Sequence, residues 1–182
     1  MSITIPLDKQ VYLFELDDVL YPKKDYVLQI YYLFASFYEF TEGTITANEL
    51  ALFMKKVYDH HGESAVFLAA QQVFGIDEKY KENLDRLMAN GQIPLRLEIY
   101  PQIENLIHNL LTNGKDIAIL TKGNPVEQLN KLKFVSWGSV DSVKDTLKVY
   151  FVDELRFQNI DPIAYIAEVY NVGSTDIYYH EK

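Results

Sequence analysis

The feature that most constrains the fold is a short apolar run, residues 11–14, that ends abruptly in acidic residues. The run reads VYLF, and Glu15, Asp17 and Asp18 follow it within four positions. A run of this length, with β-branched and aromatic residues, is typical of a buried strand in a parallel sheet. Open α/β sheets bind their ligands at the carboxyl ends of the strands, which is where these acids lie. The pattern therefore predicts a functional site at the end of the first strand.

Glu15 and Asp17 carry the first chemical hypothesis. Successive side chains of a strand alternate between its two faces, so these two carboxylates are expected to point the same way. Neighbouring carboxylates repel each other unless a cation or a shared proton offsets the charge. The pair therefore suggests a divalent metal together with an oxyanion substrate. The alternative that these residues leave open is a solvated junction between a strand and a loop.

Length and composition exclude several classes of protein. With 182 residues the chain can form one domain with a sizeable insertion, but it is short for two independent domains. It has 26 acidic and 17 basic residues, a net charge of −9 and no Lys/Arg cluster, so nucleic acid is not an expected partner. Cysteine is absent, which removes disulfides and thiolate sites. We expect no membrane partner and a cytoplasmic location, since no apolar run approaches about 18 residues and no secretory pattern opens the chain.

The segment after the first strand has helical periodicity throughout. Apolar residues recur at three- and four-residue spacing, and Gly or Asn residues mark the ends of the repeats. The predicted helices are 24–40, 46–61, 64–74 and 77–90. Four helices between one strand and the next predict a lid, residues 23–94, inserted in a core formed by residues 1–22 and 95–182.

The rest of the chain alternates between helix and strand. The predicted helices are 102–113, 125–134 and 162–170, and the predicted strands are 116–120, 147–152 and 176–179. Such alternation is typical of a doubly wound, Rossmann-like parallel sheet. The fold class is therefore α/β, with a four-helix insertion after its first strand.

Residues 13–22, LFELDDVLYP, resemble the first motif of the haloacid dehalogenase superfamily, in its phosphohydrolase branch. In that motif a strand is followed by DxDx(T/V)LY. The resemblance extends over essentially the whole chain, and it makes the predicted lid the helical cap of the family. It implies that Glu15 stands where the family has its nucleophilic aspartate and that Asp17 stands at the general acid/base.

The segment IAILTKGN, residues 117–124, resembles the second motif of the same family. The resemblance implies that Thr121, Lys122, Gly123 and Asn124 hold the oxygens of a phosphoryl group, with Thr121 as a catalytic hydroxyl. A hydroxyl and a flexible backbone just before the helix that begins at Pro125 would form an anion cradle. The alternative is an ordinary turn between a strand and a helix, since Gly, Asn and Pro are turn residues.

The last two motifs depart from the family. The third should supply a lysine, but no lysine occurs between Lys148 and Lys182, which leaves Arg156 or Lys122 as substitutes. The fourth should complete a Mg²⁺ site with acids after the last strand, and there the chain offers Glu181. The resemblance therefore implies metal ligation by Glu15, Asp17 and Glu181, with weak affinity for Mg²⁺.

These departures weaken the expected chemistry. Glu15 lengthens the nucleophile by about one ångström, and misplacement of that size can cost about 100-fold in rate. Loss of a charge-stabilising contact is worth about 3–4 kcal/mol in comparable sites. The sequence predicts a hydrolase-family protein that is catalytically impaired or inactive, a pseudoenzyme, and that retains weak metal and phosphate binding.

Two other functions stay open. One is a slow Mg²⁺-dependent phosphomonoesterase that acts on a small phosphorylated metabolite or nucleotide. The other is a non-catalytic interaction protein that uses the aromatic residues of its cap, namely Tyr31, Tyr32, Phe34, Phe37, Tyr38 and Phe40. A stripe at helical spacing is more often core than contact surface.

The last predicted strand, residues 176–179, is expected at or near an edge of the sheet. An exposed edge strand presents unpaired N–H and C=O groups and invites pairing with another chain. The charged and polar residues around it, Asp176, His180, Glu181 and Lys182, give only partial protection. A homodimer is therefore an expected assembly.

Overall fold

The computed structural model describes residues 5–182, which form both strands and helices. The strands are β1 (Val11–Phe14), β2 (Leu97–Glu98), β3 (Asp116–Thr121), β4 (Val135–Ser136), β5 (Lys148–Phe151) and β6 (Ile177–His180). The α-helices are α1 (Lys23–Glu42), α2 (Ala47–His61), α3 (Val66–Phe74), α4 (Tyr80–Asn90), α5 (Pro101–Thr112), α6 (Pro125–Phe134), α7 (Val152–Phe157) and α8 (Pro162–Tyr170). Short 3₁₀ segments are Glu63–Ala65, Gly138–Asp145 and Ser174–Asp176.

The chain divides into two units. One comprises the chain up to Lys23 together with Arg96–Lys182, and the other comprises Lys24–Leu95. The first unit contains the strands and the second contains α2, α3, α4 and nearly all of α1. The boundaries expected from the sequence lie one residue earlier at each junction. That the helical unit acts as a cap stays a prediction.

The main sheet of the α/β unit has four parallel strands in the order β5-β3-β1-β6. β1 therefore lies between two neighbours, and Phe14 at its carboxyl end is opposite Ile119 and His180. All four β1 residues are buried, as expected for an apolar strand covered on both faces. The predicted doubly wound parallel sheet is confirmed. Its register brings the carboxyl ends of β1, β3 and β6 to one edge.

Apolar side chains from two strands, β1 and β3, and two helices, α7 and α8, form the core on one face of the sheet. The buried members of this cluster are Val11, Leu13, Ala118, Leu120, Val152 and Ile166. Alternation sends Tyr12 and Phe14 to the other face, where the Tyr12 hydroxyl donates to the Pro6 carbonyl at 2.8 Å. Burial of each large apolar side chain stabilises the fold by about 1.5–3 kcal/mol. This core fixes the strand ends that carry the candidate site.

Two helices of the α/β unit begin with a polar cap followed by proline. The Asn124 side chain accepts from the N–H of Val126 at 2.9 Å, and Asp161 accepts from the N–H of Ala164 at 2.8 Å. Each cap satisfies one of the backbone donors that a helix N-terminus leaves free. Pro125 and Pro162 follow at the first helical position, where proline loses no hydrogen bond. These signals explain why both helices begin where the sequence predicts.

Several short elements of the α/β unit have no counterpart in the sequence-based prediction. The pair β2 and β4 has two residues in each strand, too few to produce a periodic pattern. The 3₁₀ segment Gly138–Asp145 lies in a polar connection. Helix α7 starts directly at the end of β5, so Val152 is helical although the apolar run suggested a strand. Short elements follow tertiary packing more than local pattern.

The helical unit is built around α1. This helix buries seven side chains at three- and four-residue spacing: Tyr26, Val27, Ile30, Tyr31, Phe34, Ala35 and Tyr38. The aromatic stripe therefore divides, because Tyr31, Phe34 and Tyr38 are core residues while Tyr32, Phe37 and Phe40 are exposed. The Tyr26 hydroxyl donates to the carbonyl of Met88 at 2.6 Å, which ties α1 to α4. Among the described residues, no helix is long and apolar enough to cross a membrane.

Candidate functional site

The candidate site lies at the carboxyl edge of the main sheet. Glu15 directly follows β1, and its backbone N–H donates to the His180 carbonyl at 3.1 Å. Thr121 is the last residue of β3, and Glu181 directly follows β6. The chain then turns after Leu16, whose carbonyl accepts from the N–H of Leu20 at 3.0 Å. The sheet register thus places these polar residues where parallel α/β folds bind ligands.

The Glu15 carboxylate accepts four hydrogen bonds from its own chain. Oε1 accepts from the N–H of Leu16 at 2.8 Å and from the hydroxyl of Thr121. Oε2 accepts from the N–H of Lys122 at 3.0 Å and from the hydroxyl of Tyr179 at 3.3 Å. The side chain of Thr121 is fully buried and Glu15 is 8% exposed. Hydrogen bonds to an ionised acceptor are stronger than neutral ones, so these donors hold the carboxylate in one position.

The phenol of Tyr179 holds its proton tightly and donates it in the hydrogen bond to Glu15. Burial raises the pKa of the Tyr179 phenol above its usual value, and the negative charges of Glu15 and Glu181 raise the pKa further. The positive charge of Arg156 opposes this change weakly. Arg156 itself is exposed on α7. It therefore contributes a distant charge to the site, and the predicted substitution of Arg156 for the family lysine has no support from its position.

Asp17 is bound by a different set of partners. Its Oδ2 lies 2.7 Å from Nζ of Lys131, which is fully buried and also lies 2.7 Å from Oε1 of Glu127. The Tyr21 hydroxyl donates to Oδ1 of Asp17 at 3.2 Å, and the Gln128 amide makes a long contact of 3.4 Å to Oδ2. Asp17 thus belongs to an ion pair, whereas Glu15 is held by uncharged donors. The expected alternation of the two side chains stops at Phe14, where β1 ends.

The other predicted phosphate-binding residues also have partners within the chain. Nζ of Lys122 lies 2.6 Å from a carboxylate oxygen of Glu181, and both side chains are about half exposed. The N–H of Gly123 donates to Asp153 at 2.7 Å, and Gly123 has a φ of 94°, which favours glycine. The Asn124 side chain caps α6. The structure therefore brings Thr121 and the N–H of Lys122 to Glu15, while Gly123 and Asn124 shape the turn.

Comparison with known proteins bears on the fold. No family model and no curated protein matches the sequence. A putative β-phosphoglucomutase from Thermotoga maritima is similar in structure, with a TM-score of 0.56 and 15% identity over 93% of this chain and 74% of that protein. A haloacid dehalogenase (HAD) family hydrolase from Deinococcus radiodurans R1, with bound phosphate and sodium, has a TM-score of 0.51 and 13% identity over 96% of this chain and 72% of that protein. A haloacid dehalogenase-like hydrolase from Xanthomonas campestris has a TM-score of 0.50 and 13% identity over 94% of this chain and 72% of that protein.

The chain has the fold of the haloacid dehalogenase-like hydrolases. At the level of the fold, this confirms the resemblance on which the motif assignments rest. Function must still be argued from the site, because one fold supports many activities.

The metal site implied by the HAD-like resemblance does not fit the arrangement of the acids. The described residues contain no group of three or more His, Asp or Glu side chains that could hold a metal ion. Glu15 is bound by uncharged donors, Asp17 by Lys131 and Glu181 by Lys122. Each carboxylate is committed to another partner, so the predicted set of Glu15, Asp17 and Glu181 is not brought together as ligands.

Lys131 is the residue of the candidate site that the sequence did not predict. The resemblance places its lysine after β5, whereas the buried lysine beside Asp17 lies on α6. An amphipathic helix normally buries its apolar face. In α6 the apolar Val126 and Leu129 are exposed, while the polar Gln128 and Lys131 are buried. The sequence does contain Glu127 four residues before Lys131, a spacing that usually marks an exposed pair. The burial of Lys131 beside Asp17 could have been predicted only if the polar face of α6 were known to be buried.

Proposed function

We propose that this chain is a HAD-fold protein of the phosphohydrolase branch in which hydrolysis is impaired or lost. The observation that carries the proposal is the state of Glu15. It stands at the position that the resemblance gives to the nucleophilic aspartate, and both of its carboxylate oxygens accept hydrogen bonds within the chain. In-line attack requires an oxygen aligned with phosphorus, and an error of about one ångström can cost about 100-fold in rate.

The pairing of Asp17 supports the same proposal. A general acid/base must lose and regain a proton during turnover. Asp17 is instead held by the ammonium of the fully buried Lys131, which also pairs with Glu127. This ion pair fixes the Asp17 carboxylate in a contact within the chain. Both carboxylates of the motif are thus engaged in structural contacts.

Weak binding of Mg²⁺ and of a small phosphorylated molecule belongs to this proposal. The phosphate bound to the HAD family hydrolase of Deinococcus radiodurans R1 supports the ligand class. The committed partners of Glu15, Asp17 and Glu181 argue for low Mg²⁺ affinity, with Glu15 and the Asp17 carbonyl as the predicted contacts. Calorimetry that finds tight Mg²⁺ binding, or binding unaltered in Glu15→Gln, would contradict this expectation.

Hydrolysis of an aryl phosphate such as 4-nitrophenyl phosphate, with Mg²⁺ present, tests the proposal directly. The wild-type chain is expected to turn over far below about 1 per second, the lower end of the ordinary enzyme range. Turnover at or above that rate would show that the impaired-enzyme proposal is wrong.

A slow phosphomonoesterase is the second candidate, and Lys131 is the observation that favours it. A buried cation beside Asp17 could supply the positive charge that the third motif lacks. If this candidate is correct, the wild-type chain has a measurable residual rate that Lys131→Met abolishes while the exposed Lys133→Met leaves it unchanged. A residual rate that survives in folded Lys131→Met would exclude it.

The exposed aromatic residues and the sheet edge support a role in interaction. Phe40 is 92% exposed and Tyr32 is 54% exposed, and β6 is an outer strand of the main sheet. We propose a homodimer formed along β6, in a protein with a predicted cytoplasmic location. Light scattering that finds only monomer at high concentration, with fast amide exchange along Ile177, Tyr178 and Tyr179, would exclude that dimer.

A further inference from the structure

The donors around Glu15 come from three strand ends and converge on one carboxylate. The N–H of Leu16 follows β1, the hydroxyl of Thr121 and the N–H of Lys122 come from the end of β3, and the hydroxyl of Tyr179 comes from β6. Backbone N–H groups and hydroxyls aimed at a single point are the groups that proteins use to hold anionic oxygens. The four donors therefore form an oxyanion cradle, and Glu15 fills it.

Side-chain length explains why a glutamate can fill this cradle. β1 and β3 are adjacent parallel strands, about 4.8 Å apart as neighbouring strands are. Glu15 must span that gap to reach Thr121 and the N–H of Lys122. An aspartate is shorter by one C–C bond, about 1.5 Å, and would stop short of the same donors. The residue that departs from the motif is therefore the one whose length allows it to bind across the strands.

We propose that the Glu15 carboxylate is a built-in ligand that occupies an oxyanion site of this chain and competes there with phosphate-type anions, which keeps their binding weak. This self-occupancy rests on the proposed function, because it supplies the physical reason for the impairment. Shortening or removing the side chain opens the site to a tetrahedral oxyanion. The ligand class is inorganic phosphate, its analogue tungstate, and the phosphate group of a monoester.

Removal of Glu15 changes both charge and hydrogen bonding in favour of an anion. The buried hydroxyl of Thr121 and the N–H of Leu16 lose their acceptor, and unsatisfied buried donors are unfavourable. The negative charge that these donors face is also lost. A phosphate or tungstate oxygen can restore the lost hydrogen bonds, so the truncated chain gains affinity that the wild-type chain lacks.

Calorimetry with inorganic phosphate and tungstate, without Mg²⁺, compares wild type with Glu15→Ala. We expect Glu15→Ala to bind both anions at least about tenfold more tightly, since one well-made charged hydrogen bond corresponds to about that factor. Glu15→Gln is the size-matched control, because it removes the charge but still fills the cradle. Its gain should be clearly smaller than that of Glu15→Ala.

Glu104→Ala is the control for loss of a carboxylate elsewhere. Glu104 accepts from the N–H of Ser139 at 2.7 Å and from its hydroxyl at 2.6 Å, so it also binds a backbone and a hydroxyl donor, but at an exposed place away from β1. This variant should bind the anions as weakly as wild type. Thr121→Val added to Glu15→Ala should reduce the gained affinity about tenfold, since it removes one donor of the cradle.

Two results would overturn the self-occupancy. One is a folded Glu15→Ala chain, verified by its cooperative melt, that binds phosphate and tungstate no more tightly than wild type. The other is a gain that Thr121→Val leaves undiminished. If Glu15→Ala does not fold, the same measurements are made on Glu15→Ser, whose small side chain also opens the cradle.

The aryl phosphate assay separates this inference from the proposed function. Wild-type turnover at about 1 per second or more would contradict the proposed function, whatever the anion titrations show. An inactive wild type together with no gain in Glu15→Ala would contradict only the self-occupancy.

Discussion

Glu15 and Asp17 lie two residues apart, yet the chain binds their carboxylates in different ways. Glu15 accepts from two backbone N–H groups and two hydroxyls, while Asp17 pairs with the ammonium of Lys131. A carboxylate held only by uncharged donors can be exchanged for another oxyanion with little change in charge. Asp17, by contrast, is part of a cluster of charges around the buried Lys131, which also pairs with Glu127. The comparison teaches that Glu15 occupies a replaceable position, whereas Asp17 belongs to the structure.

The largest expected effect comes from removing the ion-pair partner of Asp17. Lys131→Met keeps the length of the side chain but removes the cation that lies 2.7 Å from both Asp17 and Glu127. Removing one partner of a buried ion pair typically costs about 3–5 kcal/mol. Urea unfolding should show a loss of that order in the free energy of unfolding.

Lys133→Met is the matched control for this measurement. Lys133 lies on the same helix but is exposed, and surface substitutions usually change the free energy of unfolding by less than about 0.5 kcal/mol. If Lys131→Met costs no more than Lys133→Met, the ion pair does not stabilise the fold and the contrast between the two acids fails.

The second effect tests the donors of Glu15. Thr121→Val removes the hydroxyl that donates to Oε1 while keeping the branched shape of the side chain. Hydrogen bonds to charged groups contribute about 1.5–3 kcal/mol, so the free energy of unfolding should fall by that amount. Thr112→Val removes an exposed hydroxyl that donates to the carbonyl of His108. Equal losses in the two variants would show that Thr121 has no special role at Glu15.

The third effect concerns turnover and the missing lysine. Glu15→Asp releases the carboxylate from the cradle, while Lys131 remains beside Asp17. The rate of hydrolysis of an aryl phosphate should therefore rise about tenfold, which corresponds to about 1.4 kcal/mol in activation free energy. Asn159→Lys restores the lysine where the motif has it, but Asn159 has a φ of 59°, a conformation that asparagine tolerates better than lysine. It should therefore destabilise the chain and add little rate. A larger gain from the double variant than the product of the single gains would show that the third-motif lysine was the limiting defect.

The fold was predictable because its signals are local and repeated. The apolar β1, the helix caps at Asn124 and Asp161, and the alternation of helix and strand each appear in a window of a few residues. Together they predict a doubly wound sheet and the edge at which its site lies. The hydrogen bond between Thr121 and Glu15 was not predicted, although both residues were expected at strand ends of one site.

The partners of Asp17 could not be predicted in the same way. α6 turns polar side chains inward, so its apolar pattern points away from the site. The direction of Asp17 depends on the turn after Leu16, where strand alternation no longer applies. Both facts depend on how the helix packs and how the turn closes. Tertiary structure, and not local periodicity, determines them.

The smallest expected effect is a pH dependence of stability that arises at His180, on β6, the third strand that contributes to the site. His180 ends β6, with its ring against Phe14, and burial lowers the pKa of its imidazole below the usual 6.5. Because the unfolded chain then binds the proton more readily, the free energy of unfolding is highest above pH 6.5 and falls as the pH drops from 6.5 through the folded-state pKa. His180→Phe keeps the ring contact and should remove this part of the pH dependence, measured as melting temperature between pH 8 and pH 5.5. Burial is the cause of the lowered pKa, and neither Glu15 nor Asp17 counters it. The opposite result would be a wild-type melting temperature that rises toward pH 5.5 and a rise that His180→Phe removes. Glu15 or Asp17 would then stabilise the imidazolium, and the conclusion that both acids are fully engaged by their present partners would be wrong.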